Sequence, residues 1–527
     1  MPTSKKAIRD FINRDFCDST KAKRASSKCL DRLINELNPK PVFITEPYRH
    51  QKITFLLCIR YLGYFVQLDL GGGKSKLMLD LFRYSLNFNP KARMLVMVPC
   101  VTNVDSWLDE CSIHAPDLKV LGITPDIKGN HRLAVIEADE NQIVIITYAG
   151  WLRLVRHKDK EGKYTFGGKE SNCERLFATA VYDESTQLGG PKSKYFIAAR
   201  RLSKVTKSHY AMTGTAFGKD PLIVYSQSYV SDMGETFKSV GLFREALYTK
   251  KPNHWTGFLE WHFDERKKGL LSKMLKHRSI RFNEREFEDL PEKVEVPIHI
   301  RFDANVWAYY EKLLADFRDT NSPLSLLGNA YVRMRRLCSG YLEIDDGEGG
   351  ETHTIEFEQN PKFDELLELV KRVPETSKIC IFHTYVSTGA YLQKRLAKEG
   401  FKSERLWSGE KDKSGVQRRF KTSPKHRILI ANEAAAFGLN LQVANYAMFY
   451  ELHDSPIIHR QMMKRLHRGK KTEDRHTVYL YILLYKNSIE EQIYKSLLAG
   501  KNFFETVVES HKTGLNRAIK RIRLKEK

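Results

Sequence analysis

No window of this 527-residue sequence approaches about eighteen uncharged apolar residues, and its opening stretch, MPTSKKAIRDFINRDF, has no apolar core of signal-peptide length. A membrane span and a secretory leader are therefore not expected. Paired cysteines are missing too: Cys17, Cys29, Cys58, Cys100, Cys111, Cys173, Cys338 and Cys380 are scattered, with no C-x-x-C spacing. That pattern argues against a structural zinc site and for small core residues in a reducing compartment. No repeat of fixed period is present. Acidic charge is in deficit, with 64 Asp and Glu against 87 Lys and Arg, a net charge of +23. The excess favours a polyanionic partner, nucleic acid before membrane, because no basic amphipathic helix stands isolated at a terminus.

What is present is ordinary globular composition, 42% hydrophobic and 29% charged, in a chain long enough for two to four domains. Short β-branched and aromatic runs recur in two clusters: RMLVMVPC (93–100), QIVIITYAG (142–150), TAVYDES (179–185) and HYAMTGT (209–215), then KICIFHT (378–384), RILIANE (427–433), YAMFYEL (446–452) and TVYLYILL (477–484). Helical patterns such as FDELLELVKRV separate them. Buried strands alternating with helices predict two α/β lobes with doubly wound parallel sheets. The stretch 216–360 reads instead as charged helical material, with EIDDGEGGETH as an exposed hairpin. The expected division is a basic extension (1–40), lobe one (41–235), helical protrusions and bridge (236–360), lobe two (361–500) and a basic tail (501–527).

LDLGGGKSKLML (68–79) sets three glycines and a Lys-Ser pair between a strand pattern and a helix pattern. A phosphate loop needs backbone N–H groups that can close on phosphate oxygens, a Lys for the terminal phosphates and a hydroxyl for Mg²⁺. Gly71, Gly72, Gly73, Lys74 and Ser75 supply these, although Leu68 stands where the full motif has its first glycine. A flexible turn before an amphipathic helix would use the same residues. Partners must come from elsewhere in the chain. Asp183 and Glu184 end a strand about 110 residues downstream, where an aspartate can hold Mg²⁺ with Ser75 and a glutamate can act as general base. A turn or helix cap is the alternative. In HRQMMKRLHRGKK (459–471), Gln461, Arg465 and Arg468 fall on one helical face, which suits a pair of guanidiniums clamping a γ-phosphate as well as a solvated basic face.

In their order over about residues 45–495, these segments resemble the superfamily-two helicases, and among them the Swi/Snf (sucrose-nonfermenting) DNA translocases. EPYRHQ resembles the adenine-reading segment, with Gln51, and DLGGGKS motif I. LVMVPCVTNVDSWLDE resembles the stretch ending in Trp107 and Glu110; IITYAGW follows it. VYDEST resembles motif II, MTGTAFGKDPLIVYSQSYV motif III, LKHRSIRF and FEDLPEK the bridge, and VRMRRLCSG the helix after it. KICIFHTY, ANEAAAFGLNLQVAN and HRQMMKRLHRGKK resemble motifs IV, V and VI. Motif II departs from many relatives in carrying Ser185-Thr186, and motif III in carrying Ala216.

The resemblance implies two tandem RecA-like lobes with helical protrusions inserted between them, and ATP with Mg²⁺ as cofactors. It implies Lys74, Glu184, Arg465 and Arg468 in catalysis, and Gln51, Gly71, Gly72, Gly73, Lys74, Ser75, Gly438 and Asn440 around the nucleotide. Ser75 and Asp183 would hold the metal; Thr213, Gly214, Thr215 and Gln461 would couple hydrolysis to movement. Pro99, Thr102, Thr147, Tyr148, His383, Thr384 and Asn432 would meet nucleic-acid phosphates, without base specificity. The implied output is translocation along duplex DNA that remodels protein–DNA complexes or branches. Alternatives are a strand-separating helicase on DNA or RNA, for which no wedge is identifiable in the sequence, and a DNA-binding scaffold with a vestigial ATPase. No nuclease, zinc-binding or histone-reading segment is visible, which suggests a viral or bacterial genome-maintenance enzyme. A monomer in the cytoplasm, or in the nucleus of a eukaryote, suffices.

Overall fold

The computed structural model describes residues 16, 18–69, 71–124, 127, 129–138, 142–158, 164–166, 169–214, 221–252, 258–283, 286–287, 292–318, 324–345, 352–432, 441–466 and 477–507. The chain divides into two compact units, Met1–Asp289 and Leu290–Lys527.

The first unit is built on a seven-stranded sheet. Its strands are β1 (Gly63–Leu68), β2 (Met94–Val98), β3 (Val120–Ile123), β4 (Ile143–Thr147), β5 (Thr179–Tyr182), β6 (Ser208–Thr213) and β7 (Ser279–Phe282). Their order is β7-β1-β6-β5-β2-β4-β3 and every pairing is parallel. The continuous apolar runs of the sequence explain this, since both faces are covered. Tyr64, Val66, Leu68, Val96 and Val181 enter one core cluster, while Phe65, Leu95, Met97, Ala180 and Tyr182 enter another. This is the period of two expected of a strand, with burial contributing about 1.5–3 kcal/mol per large apolar side chain.

The second unit has a six-stranded parallel sheet. It comprises β8 (Glu292–Ile300), β9 (Lys378–Phe382), β10 (Ser403–Leu406), β11 (Ile428–Ala431), β12 (Ala444–Phe449) and β13 (Thr477–Tyr485), in the order β8-β13-β12-β9-β11-β10. Each unit is thus an α/β lobe on a parallel sheet, the class that the alternating strand and helix patterns predict.

The structure redraws several expected limits. β7 and β8 lie in the stretch read as helical protrusion, yet each completes a sheet edge: Phe65 is in register with Ser279, and Glu292 with Thr477. The same stretch holds helices at Val240–Leu247, Lys268–Leu275, Ala304–Arg318 and Leu324–Cys338, and the expected hairpin, whose strands are Tyr341–Asp345 and Thr352–Glu356. The described part of the 1–40 segment is no loose extension. Phe16, Ala22, Leu30, Leu33 and Ile34 are buried in the first lobe's core, and the Arg49 guanidinium donates to the Lys23 and Ala25 carbonyls at 2.8 Å. At the other end, Phe503 and Phe504 pack on the second lobe, Phe504 with its ring centroid 4.7 Å from that of Tyr331. Residues 508–527 lie outside the described residues.

Candidate nucleotide site and coupling network

In a parallel sheet the carboxyl ends of the strands form one edge, and in the first lobe the candidate residues collect there. The loop after β1 enters the helix Lys74–Leu86, and a helix N-terminus is favourable ground for an anion. Glycine is required at position 73, where φ is +68° and a Cβ would stand 2.1 Å from Gln51 Nε2. Gln51 itself is fully buried. Its amide nitrogen donates to the carbonyls of Gly72 (3.2 Å) and Gly73 (3.3 Å), and its amide oxygen accepts from Tyr48 N at 2.9 Å. Gln51 therefore braces the phosphate loop from behind. His50, which sequence reasoning passed over, does the same through a ring nitrogen 2.9 Å from Gly72 O, and its ring lies 4.5 Å from that of Phe287. Lys74 Nζ donates to Leu68 O at 3.1 Å, and Ser75 is half-buried beside it.

Asp183 and Glu184 follow β5. Asp183 is buried, with Oδ1 accepting from Glu184 N and Oδ2 from the Trp107 indole N–H, each at 2.9 Å. Burial, then the neighbouring Glu184 carboxylate, pushes the Asp183 carboxyl above its usual range, against the pull of Lys74 and Trp107. Each carboxylate oxygen keeps further acceptor capacity. With the Ser75 hydroxyl this is an all-oxygen donor set in an environment that a divalent cation would neutralise, so the residues fit Mg²⁺. Glu184 sits at φ +42°, left-handed backbone that is rare outside glycine, and this turn is where its carboxylate accepts from the Thr213 hydroxyl at 3.2 Å. Thr213 ends β6 and is fully buried, and Gly214 follows; Thr215 lies outside the described residues. On the far side, the Ser185 hydroxyl donates to Gln227 Oε1 at 2.8 Å, which ties the motif to the helix Leu222–Asp232.

The expected phosphate contacts divide in two. Pro99, Thr102 and Thr147 stand half-buried at the ends of β2 and β4, with the Thr147 hydroxyl capping the next helix by accepting Gly150 N. Tyr148 is different. It is buried, and its hydroxyl donates to Asp183 O at 2.9 Å, so it supports the catalytic turn and is not a surface contact. His383, after β9, is likewise buried: one ring nitrogen is 2.9 Å from Tyr385 O, and a Cβ on Gly389 would meet the other at 2.6 Å. Asn432, after β11, is also buried.

Thr384 is half-buried on a network the sequence did not announce. Its N–H and that of Tyr385 donate to Glu451 Oε2 at 2.7 and 3.0 Å, the Thr388 hydroxyl donates to Glu451 Oε1 at 2.6 Å, and Ser339 adds a second hydroxyl. Burial opposes the charge on Glu451, but His383, Arg335 and these hydroxyls hold its carboxyl below the usual range. Arg335 also donates to Asp454 at 2.8 Å. The acid at the end of YAMFYEL and the arginines of VRMRR were the signal available in sequence. Gln461 and Arg465 lie four residues apart on the helix Pro456–Leu466, with Arg465 buried. Gly438, Asn440 and Arg468 lie outside the described residues.

Residues 361–470 match the family model of the helicase conserved C-terminal domain. A putative ATP-dependent helicase/translocase of Bacillus subtilis, YwqA, is 22% identical over 484 residues, 88% of this chain and 49% of that protein. The chain is thus similar to ATP-dependent helicases, and its residues 361–470 match their conserved C-terminal domain. A second B. subtilis relative, the uncharacterized ATP-dependent helicase YqhH, is 34% identical over 152 residues, 28% of this chain and 26% of that protein. Mouse DNA repair and recombination protein RAD54B is 27% identical over 184 residues, 33% of this chain and 20% of that protein. The chain thus spans half or less of the length of these relatives. The Sulfolobus solfataricus SWI2/SNF2 ATPase core in complex with dsDNA aligns with 20% identity and a TM-score of 0.39, covering 89% of this chain and 94% of that one.

Proposed function

We propose that this protein is a Swi/Snf-type motor that hydrolyses ATP to move along duplex DNA, remodelling protein–DNA complexes or branched DNA, without reading base sequence. The observation that carries it is one bonded cluster, in which Asp183 is fixed by Trp107 and Glu184 is held by Thr213 at the end of the neighbouring strand. Lys74 and the N–H groups of the loop bind and orient the phosphates. Glu184 orients the attacking water and takes its proton. Mg²⁺, held by Asp183 and Ser75, supplies charge neutralisation on the phosphates when bound. Arg465 and Arg468 neutralise charge developing on the γ-phosphate, the role that their spacing and the family resemblance suggest. Thr213 transmits the state of Glu184 to the strand ends that carry Pro99, Thr102 and Thr147. The net charge of +23 and the translocase and DNA-repair names of the relatives support DNA as the track.

The test is steady-state ATP hydrolysis at low salt without nucleic acid and with duplex DNA, single-stranded DNA or RNA, with Glu184→Gln as control. Greatest stimulation by duplex DNA, abolished by Glu184→Gln while ATP still binds, is the expected result. Stimulation by single strands or RNA alone would shift the function to strand separation, and no hydrolysis with DNA bound would leave a scaffold.

A further inference from the structure

Tyr248–Pro252 and Leu259–Phe263 form an antiparallel hairpin in the first lobe. The register sets Tyr248 opposite Phe263, Lys250 opposite Trp261 and Pro252 opposite Leu259, so these six residues share one face. Its base is anchored. Tyr248 is buried, with its ring 5.5 Å from that of Phe263 and 6.1 Å from that of Phe243.

Toward the outer end the hairpin leaves the core but keeps its apolar character: Leu259 is 63% exposed and Phe258 76%. Lys250, Lys251 and His262 are exposed beside them, and Lys250 Nζ lies 4.8 Å from the Trp261 ring centroid. A single hairpin is marginal in water, and an outward end chosen for solubility alone would be polar. The surroundings are basic. Residues 248–278 hold eight Lys and Arg against three Asp and Glu, and the next helix, Lys268–Leu275, exposes Lys268 and Lys273.

An apolar and aromatic platform inside a positive field is the chemistry that holds unpaired nucleic acid, with bases against the rings and phosphates against the lysines. The hairpin also stands on the catalytic framework. Phe243, beneath its base, packs on Tyr225 at 5.7 Å, and Tyr225 shares the helix Leu222–Asp232 with Gln227, the acceptor for the hydroxyl next to Glu184.

We infer that the outer end of this hairpin binds the unpaired strand at a DNA fork or branch, with Phe258 and Leu259 as apolar contacts to the bases and Lys250 and Lys251 as contacts to the flanking phosphates. This rests on the DNA-motor function proposed above and adds the structure on which the motor acts.

The test compares the full chain with the double variants Phe258→Ala/Leu259→Ala and Lys250→Glu/Lys251→Glu. Affinities for a labelled forked duplex and a blunt duplex of equal length are measured across a salt series, alongside blunt-duplex-stimulated ATP turnover. The apolar variant is expected to lose about tenfold in fork affinity while blunt-duplex affinity and turnover hold, since one stacked base is worth about that much. The lysine variant is expected to lose fork affinity with a shallower salt dependence. Fork affinity unchanged in both variants, or fork and blunt affinities falling together, overturns the inference while the motor stands. Wild-type turnover that no DNA raises overturns the motor itself.

Discussion

The indole N–H of Trp107 donates to Asp183 Oδ2 at 2.9 Å, linking the helix after β2 to the acid after β5. Trp107 touches neither nucleotide nor metal in the proposed mechanism; it fixes the carboxylate that does. Trp107→Phe keeps the ring volume and removes the donor. Partners of this kind typically govern about 10–100-fold in metal affinity. We expect the Mg²⁺ concentration for half-maximal turnover to rise by about tenfold, with Mg²⁺-free ATP binding unchanged in a fluorescence titration. Equal Mg²⁺ dependence in both proteins would reduce Trp107 to a core residue.

Thr213 offers a sharper separation of chemistry from coupling. Its hydroxyl donates to Glu184 Oε2, and hydrogen bonds to a charged group are worth about 1.5–3 kcal/mol. Thr213→Val is expected to leave DNA-free turnover within about threefold while the ratio of DNA-stimulated to basal rate drops by about tenfold, consistent with one such bond. Stimulation at the wild-type ratio would show that the bond carries no coupling.

Gly73→Ala asks for left-handed backbone, costing about 1–2 kcal/mol, and drives a methyl into Gln51 Nε2. ATP affinity should fall at least about tenfold, in proportion to that strain. Gly190→Ala is the matched control, because a Cβ there meets nothing within 4 Å. Titration with a fluorescent ATP analogue would separate the two variants.

His459 gives a pH dependence whose sign is fixed by burial. It is buried against the Phe449 ring at 5.0 Å, and its Nδ1 finds no hydrogen-bond partner among the described residues. Burial first, then His453, Arg460 and Lys293, depresses its pKa from 6.5 to about 4. The unfolded chain therefore takes up the proton before the folded one does. Stability contributed by neutral His459 is present above pH 6.5 and is lost as pH falls toward 4, by about 3 kcal/mol in total. His459→Phe should flatten denaturant stability of the full chain over that window. An unchanged slope would place the titration elsewhere.

The legible parts of this molecule were those written locally. Asp183 and Glu184 could be seen because strand, turn and acid are contiguous, and the phosphate loop because its glycines adjoin its lysine. Trp107 could be noticed but not connected, since its partner is 76 residues away. Tyr148 and His383 looked like surface contacts because both stand at strand ends, and alternation along a strand does not say which polar group folds back on Asp183 or beside Glu451. β7 and β8 were missed for another reason. SIRF is only four residues long, and EKVEVPIHI mixes charge with apolar residues, as an edge strand with a partly exposed pattern must.

The position of β1 carries a consequence for how the chain is made. Its two neighbours are β6 and β7, so the strand that delivers the phosphate loop pairs with segments that begin at Ser208 and Ser279. During synthesis the amino-terminal half emerges with this strand's hydrogen-bonding groups unclaimed on both sides, and at about 5–20 residues per second the wait lasts on the order of ten seconds or more. Over that interval GYFVQL is an apolar ribbon with two open edges. The segment proposed to cradle ATP is thus, on the ribosome, open to mispairing until the chain from Ser208 onward has been made.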